Sequence, residues 1–310
     1  NFEKIITRGY YFVDKTLLIK DLLDNKADVN LFTRPRRFGK TLNMSMLQYF
    51  FEDERQWNTG EKKDNTYLFE GLNIMKEGEK YTSYMGKYPV INLSLKSAKQ
   101  SSLELAFRCL REEIANEFER HKFILESDDL KDQKEEFLKI AHKNEDTALY
   151  TTSLRFLSEC LEKYYGKKAI ILIDEYDVPL ENAFFEGFYK EMVSFLRSLF
   201  ESALKTNPHL EFAILTGCLR ISKESIFTGL NNLEIISILN KSYDEYFGFT
   251  NEEVKKICND YNMESKYDVI KDWYNGYIFG DANVYNPWSV MRFIKDLTFD
   301  INEYPKSYWA

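Results

Sequence analysis

An α/β fold, with a largely parallel sheet flanked by helices, is the class this chain predicts, and three features predict it. Short apolar runs at 28–32, 88–95, 167–177 and 210–217 alternate with stretches of helical periodicity. The third run, "KKAIILIDEYD", holds at least four consecutive apolar residues between charges, which suits a strand buried on both faces. The stretch "RPRRFGKTLNMSML" (34–47) sets Gly39-Lys40-Thr41 between a strand and a helix.

Taken in order, "DVNLF" (28–32) is a short strand ending in polar "TRP". From Gly39 onward, Leu42, Met46, Leu47 and Phe50 recur at helical spacing. "YPVINLSL" (88–95) is a second strand, and 101–118 an amphipathic helix. After the acidic strand, 190–205 reads as a helix with Met192, Phe195, Leu196 and Phe200 on one face. "LEFAILTG" (210–217) is another buried strand. The charge-rich stretches 53–65 and 121–146 read as solvated insertions with some local helix. Beyond about Ile238 the strand signals stop. Thr250 with Glu253 forms a capping-box pattern, and "YDVIKDWY" and "NPWSVMRFIKDL" are two further helices. Asn286 caps the last of them and Pro287 fills its first position, where a missing N–H costs nothing. The expected organisation is a core over 1–237 and a small helical lid over 238–310.

Composition narrows the class. Of 310 residues, 44% are hydrophobic and 16% aromatic, enough for a sizeable core. A net charge of −8, without basic-aromatic patterning, argues against direct nucleic-acid binding. No run of about 18 apolar residues exists to span a membrane. The start "NFEKIITRGYYF" lacks the apolar core of a signal peptide, although Asn1 leaves a longer native N-terminus open. Cys109, Cys160, Cys218 and Cys258 are widely spaced, and with His121, His142 and His209 they give no zinc-ligand pattern. Free thiols suit a reducing compartment, the cytoplasm.

Two segments carry chemistry. A phosphate-binding loop works because backbone N–H groups and a helix N-terminus face the anion while a lysine reaches its terminal oxygens. Gly39 permits close approach, Lys40 supplies charge, and the Thr41 hydroxyl is a magnesium ligand. The plain alternative is a basic turn before a helix. Phosphoryl chemistry also needs an acid at a strand end for the metal, and often a second to orient water. Asp174 and Glu175 fit those two places, with Asp177 next in line as a base; alone, they are an acidic turn. Together the segments predict a P-loop NTPase, with Arg36, Arg37, Phe38, Gly39, Lys40, Thr41 and Leu42 along the nucleotide and Thr41 with Asp174 on Mg2+. The first glycine of such loops is replaced by Arg34, so the loop must begin with ordinary backbone angles, one of them fixed by Pro35. Arg36 and Arg37 could bind phosphate, pair with the insertions or face a partner.

These stretches, with "YYFVDKT" (10–16), "IDEYDVPL" (173–180), "LTGCLRISKESIFTGLNNL" (215–233), "YFGFTNEEV" and "WYNGYIFGDANVYNPWSV", resemble the bacterial AAA-ATPase-like family, in the family's order along nearly the whole chain. R-P-R-R-F-G-K-T is that family's own form of the loop, so Arg34 is a family trait. The resemblance implies an ATPase commonly followed by a nuclease-like domain of the PD-(D/E)XK type, and this chain ends at "YWA", about where that domain would begin. It places Arg220 at a strand-end sensor reaching the γ-phosphate, with a structural salt bridge as the alternative. It sets Phe12 and Val13 near adenine, where core packing competes, and Pro287 as a lid contact to the base. Trp273, Tyr274, Tyr277 and Trp288 are assigned to the core. The leading expectation is a cytoplasmic Mg-ATP-binding ATPase with slow hydrolysis, acting as a switch for an attached or partner effector. The alternative is a nucleotide-binding interaction module without turnover. No N-K-x-D-like guanine signature is present, which tilts the base towards adenine, and a homo-oligomer is left open.

Overall fold

The computed structural model of the chain describes residues 1–56, 58–219, 226–227 and 229–308. Five strands form one all-parallel sheet: β1 (Val29–Thr33), β2 (Val90–Ser94), β3 (Ala169–Asp174), β4 (Leu210–Gly217) and β5 (Leu233–Ile236). Their spatial order is β2-β3-β4-β1-β5, so a single strand separates β1 from the acidic strand β3. Parallel strands need crossovers, and helices supply those that lead to β2, β3 and β4.

Alternate residues of each strand serve opposite faces, as the pleat requires. Ala169, Ile171 and Ile173 join Val29, Leu31 and Leu215 in one core, against the helices Leu103–Arg120, Ser153–Tyr165 and Tyr189–Phe200. Ile170 and Leu172 join Phe32 and Ile214 in the other, against Phe2–Thr7, Leu17–Asn25 and Lys40–Phe51. The pairings Thr33 with Gly217 and Ser94 with Asp174 bring the C-terminal strand ends to one rim. Open parallel sheets bind ligands at that rim.

Three expectations are corrected. Residues 121–146 are not a solvated insertion: Ile124, Leu125, Leu130, Phe137 and Ile140 are buried in the first core, and the charges between them cover its outside. Strand β5 was not anticipated, because Glu234 interrupts a run of only four residues. The C-terminal part is not purely helical. It carries an antiparallel hairpin, β6 (Tyr277–Phe279) and β7 (Ala282–Val284), joined by Gly280-Asp281. Gly280 has φ 51°, and a side chain there would lie 2.6 Å from the Asn240 carbonyl, so only glycine fits.

The helices Asn251–Asp260, Tyr267–Tyr274 and Pro287–Phe299 share a third core of Val254, Ile257, Ile270, Val290, Phe293 and Leu297. The Thr250–Glu253 capping box is formed, and the Asn286 side chain accepts from the Ser289 N–H at 3.0 Å. None of the described helices is long and apolar enough to cross a membrane.

At the β2 edge, the Arg120 guanidinium bonds Glu117 at 2.6 and 2.9 Å and also meets Glu52, whose side chain is buried. Burial alone would push the Glu117 carboxyl up; Arg120 and His121 outweigh it and bring it down to about 2. Its folded value therefore lies below the unfolded one. The pair's stability is present above the ordinary glutamate range and is lost as pH falls towards 2. Arg120→Ala leaves two buried carboxylates uncompensated and should destabilise the fold by about 3–5 kcal/mol, read by urea denaturation. A loss below about 1 kcal/mol would mean that water already screens the pair.

Candidate functional site

At the rim, the chain leaves β1 through Arg34 and Pro35 with ordinary backbone angles and turns left-handed at Arg37, φ 68°, and Gly39, φ 84°. Nothing lies within 4 Å of a side chain placed on Gly39, so the demand for glycine comes from the angle and not from space. Gly39 then caps the helix Lys40–Phe51, whose first N–H groups are free of intrahelical partners.

Arg34 does not face the loop's concave side. It is fully buried, and its guanidinium donates to the carbonyls of Thr33 at 3.0 Å, Ile236 at 2.9 Å and Tyr243 at 3.3 Å. The rings of Phe247 and Phe279 lie 5.1 and 5.2 Å from its Cζ. One side chain thus ties the end of β1 to the end of β5, to the connector after it and to the hairpin. Burial pushes its pKa down to about 10, and the nearby charge of Asp244 opposes the shift.

Lys40 donates from Nζ to the carbonyls of Arg34 at 2.9 Å and Pro35 at 2.8 Å, beside Cys218 Sγ at 3.4 Å. The Thr41 hydroxyl donates to Asp174 Oδ2 at 2.6 Å, which joins the loop to the acidic strand across the intervening β4. Asp174 Oδ1 accepts from the Glu175 N–H at 2.9 Å and from the Thr216 hydroxyl. Thr216, at the end of β4, was missed by sequence reasoning; a lone hydroxyl closing the apolar run "AIL" was the signal. Glu175 is left-handed, φ 55°, an uncommon conformation for glutamate that cores over-determine at functional sites. Burial raises its carboxyl above the ordinary range, Asp174 adds to this, and Lys96 and Lys40 oppose it.

A cavity of about 570 Å³ opens beside these groups. Arg36, Arg37, Phe38, Gly39, Lys40, Thr41, Leu42 and Glu175 border it. Phe12, Val13, Phe249, Pro287 and Met291 add apolar lining. The Phe38 ring, however, is 1% exposed and packs on Tyr277 and Phe279 at 4.8 and 5.2 Å, so its main role is in the core. Arg36 lies 3.4 Å from Glu181 in an exposed pair. Phe12 and Val13 pack on the second and third cores while bordering the cavity, so both of their anticipated roles are compatible. Lys15 from the same segment is bound by the Glu253 carboxylate at 2.6 Å and the Glu245 carbonyl at 2.6 Å, and so joins the N-terminal segment to the capped helix.

Further placements differ from expectation. Asp177 is 1% exposed and outside the cavity lining, and its Oδ2 accepts from the Cys218 and Leu219 N–H groups at 2.8 and 2.7 Å. That carboxylate shapes the turn after β4 and is not a free base. Trp273 and Trp288, assigned to the core with Tyr274, are instead 55% and 47% exposed, and Trp288 borders the cavity. Arg220 lies outside the described residues.

A parallel sheet with a glycine-lysine-threonine loop after β1 and an acidic pair after β3 defines a P-loop NTPase-like α/β protein. The family of predicted AAA-ATPases matches residues 1–227, and the chain belongs to it. Membership gives the chain a nucleotide-binding, ATPase-like character. It is also 28% identical over 305 residues to an "Uncharacterized protein in vnfD 5'region" of Azotobacter chroococcum mcd 1. That match covers 97% of this chain and 50% of the relative, so the chain spans about half the relative's length.

Thr41→Ala should weaken ATP binding about tenfold when magnesium is present and little in EDTA, by calorimetric titration. Equal losses in both would assign the hydroxyl to holding Asp174 alone.

Proposed function

We propose that this chain is a Mg-ATP-binding ATPase domain that hydrolyses slowly and switches an attached or partner effector, which in the resembled family is commonly nuclease-like. The observation that carries the reading is that Lys40, Thr41 and Glu175 border one cavity that also has apolar lining, with Asp174 bonded to the Thr41 hydroxyl and the Glu175 N–H. A cavity of this volume and polarity suits a purine nucleotide, whose base is flat and whose phosphates are anionic.

In the proposed mechanism Lys40 exchanges its two loop carbonyls for phosphate oxygens, while the N–H groups at the start of its helix face the same anion. Thr41 and Asp174 offer only oxygen donors, the set that suits magnesium, and would hold that ion. When bound, the ion supplies positive charge against the phosphates. Thr216 fixes the orientation of the Asp174 carboxylate. Glu175 accepts a proton from the attacking water, and its raised pKa strengthens it as a base. Arg220 is proposed to meet charge developing on the γ-phosphate. The division proposed is a core over 1–237 and a lid over 238–310, with Pro287 and Met291 closing on the base.

Titration with ATP with and without magnesium, followed by phosphate release from the same protein, tests this reading. Binding with no release over many hours would leave a nucleotide-binding module. No binding would overturn both.

A further inference from the structure

Arg37 stands in the phosphate loop, yet its side chain is held by residues far along the chain. Its guanidinium donates to the Tyr308 carbonyl and lies over the Trp288 ring, with Cζ 5.3 Å from the centroid. Arg292 lies over the same ring at 5.6 Å. The segment that carries Tyr308 is itself anchored. The Tyr274 hydroxyl donates to the Lys306 carbonyl at 3.0 Å and accepts from the Lys306 N–H at 3.1 Å. The Tyr308 hydroxyl donates to Asp296 at 2.7 Å.

A guanidinium has five N–H donors in a rigid plane. A carbonyl on one N–H, with an aromatic ring against the plane, removes much of the side chain's freedom. Arg37 and Trp288 both border the cavity. We propose that Trp288 and residues 303–308 are positioning elements of the nucleotide site, which hold Arg37 at the cavity wall for the phosphate oxygens of a nucleoside triphosphate. This rests on the nucleotide-binding reading above. By linkage, a bound triphosphate must in turn secure residues 303–308. That gives the phosphate loop a direct connection to a segment some 270 residues away in sequence.

The test is a double-mutant cycle read by calorimetry with ATP and with adenosine, alongside melting temperatures to verify folding. Arg37→Ala should weaken ATP about tenfold and leave adenosine unchanged, since only the phosphates meet the guanidinium. Trp288→Leu should weaken ATP about fivefold, with Trp288→Phe restoring most of the loss. The paired variant Asp296→Asn with Tyr308→Phe, which removes one of the segment's two anchors without touching the cavity, should act in the same direction. In the Arg37→Ala background neither change should matter further. Additive losses, or an equal loss for adenosine, would overturn this inference and make Trp288 a contact to the base. If the wild type binds no nucleotide, the functional reading beneath it is overturned instead.

Discussion

Glu175→Gln should retain Mg-ATP affinity and lose turnover by roughly 100-fold or more, because the amide keeps the shape of the side chain but cannot take a proton. Asp174 cannot substitute, since both its oxygens are bonded to hydroxyls or the Glu175 N–H. Asp177 cannot either, being buried outside the cavity with one oxygen on two backbone N–H groups. The variant should therefore trap ATP, and chromatography of bound nucleotide after long incubation reads the outcome. The wild type should also lose activity in acid earlier than an ordinary glutamate would dictate. Burial and Asp174 raise the carboxyl's pKa, so protonation begins at a higher pH and removes the base. A variant that hydrolyses as fast as wild type would transfer the base role elsewhere. An acid limb in the ordinary carboxylate range would mean that bound nucleotide cancels the shift.

Lys40→Ala should reduce ATP affinity by about 100-fold, the effect of losing charge-assisted contacts to phosphate. The lysine is only 7% exposed and donates to two loop carbonyls, so the variant should also lose about 1–3 kcal/mol of stability. Circular dichroism and denaturation separate the two effects. A folded variant with unchanged affinity would exclude the loop as a phosphate site.

The layered fold was legible because its strands are unmixed: "LEFAILTG" is β4 from first residue to last. The Thr250 capping box and the Pro287 start were legible for the same reason, being local chemistry written in adjacent residues. What escaped depends on partners distant in sequence. Charges at 128–136 mask a helical layer whose Phe137 and Ile140 become buried only in the company of Phe118 and Leu157. The hairpin strands are three residues each, too short for any periodicity to register. The acidic pair and the lysine were readable in the candidate site, whereas Thr216 and Trp288 acquire meaning only when β4 and the last long helix reach the loop. Arginine is ordinarily a surface residue, so nothing in "RPRR" distinguishes the buried Arg34 from its exposed neighbours.

Arg34 has a consequence for ionic strength. Its pKa of about 10 keeps it cationic at neutral pH, and among the described residues its hydrogen bonds go to carbonyls and not to a carboxylate. A cation beneath the loop, enclosed by carbonyls and two phenyl rings, is out of reach of dissolved counterions, unlike Arg36 and Arg37 at the surface. The loop's attraction for anions therefore has a part that salt erodes and a part that it does not. Nucleotide affinity should fall with added potassium chloride and then level off, and the plateau contains the arginine's share from below together with those of the buried Lys40 and the apolar lining.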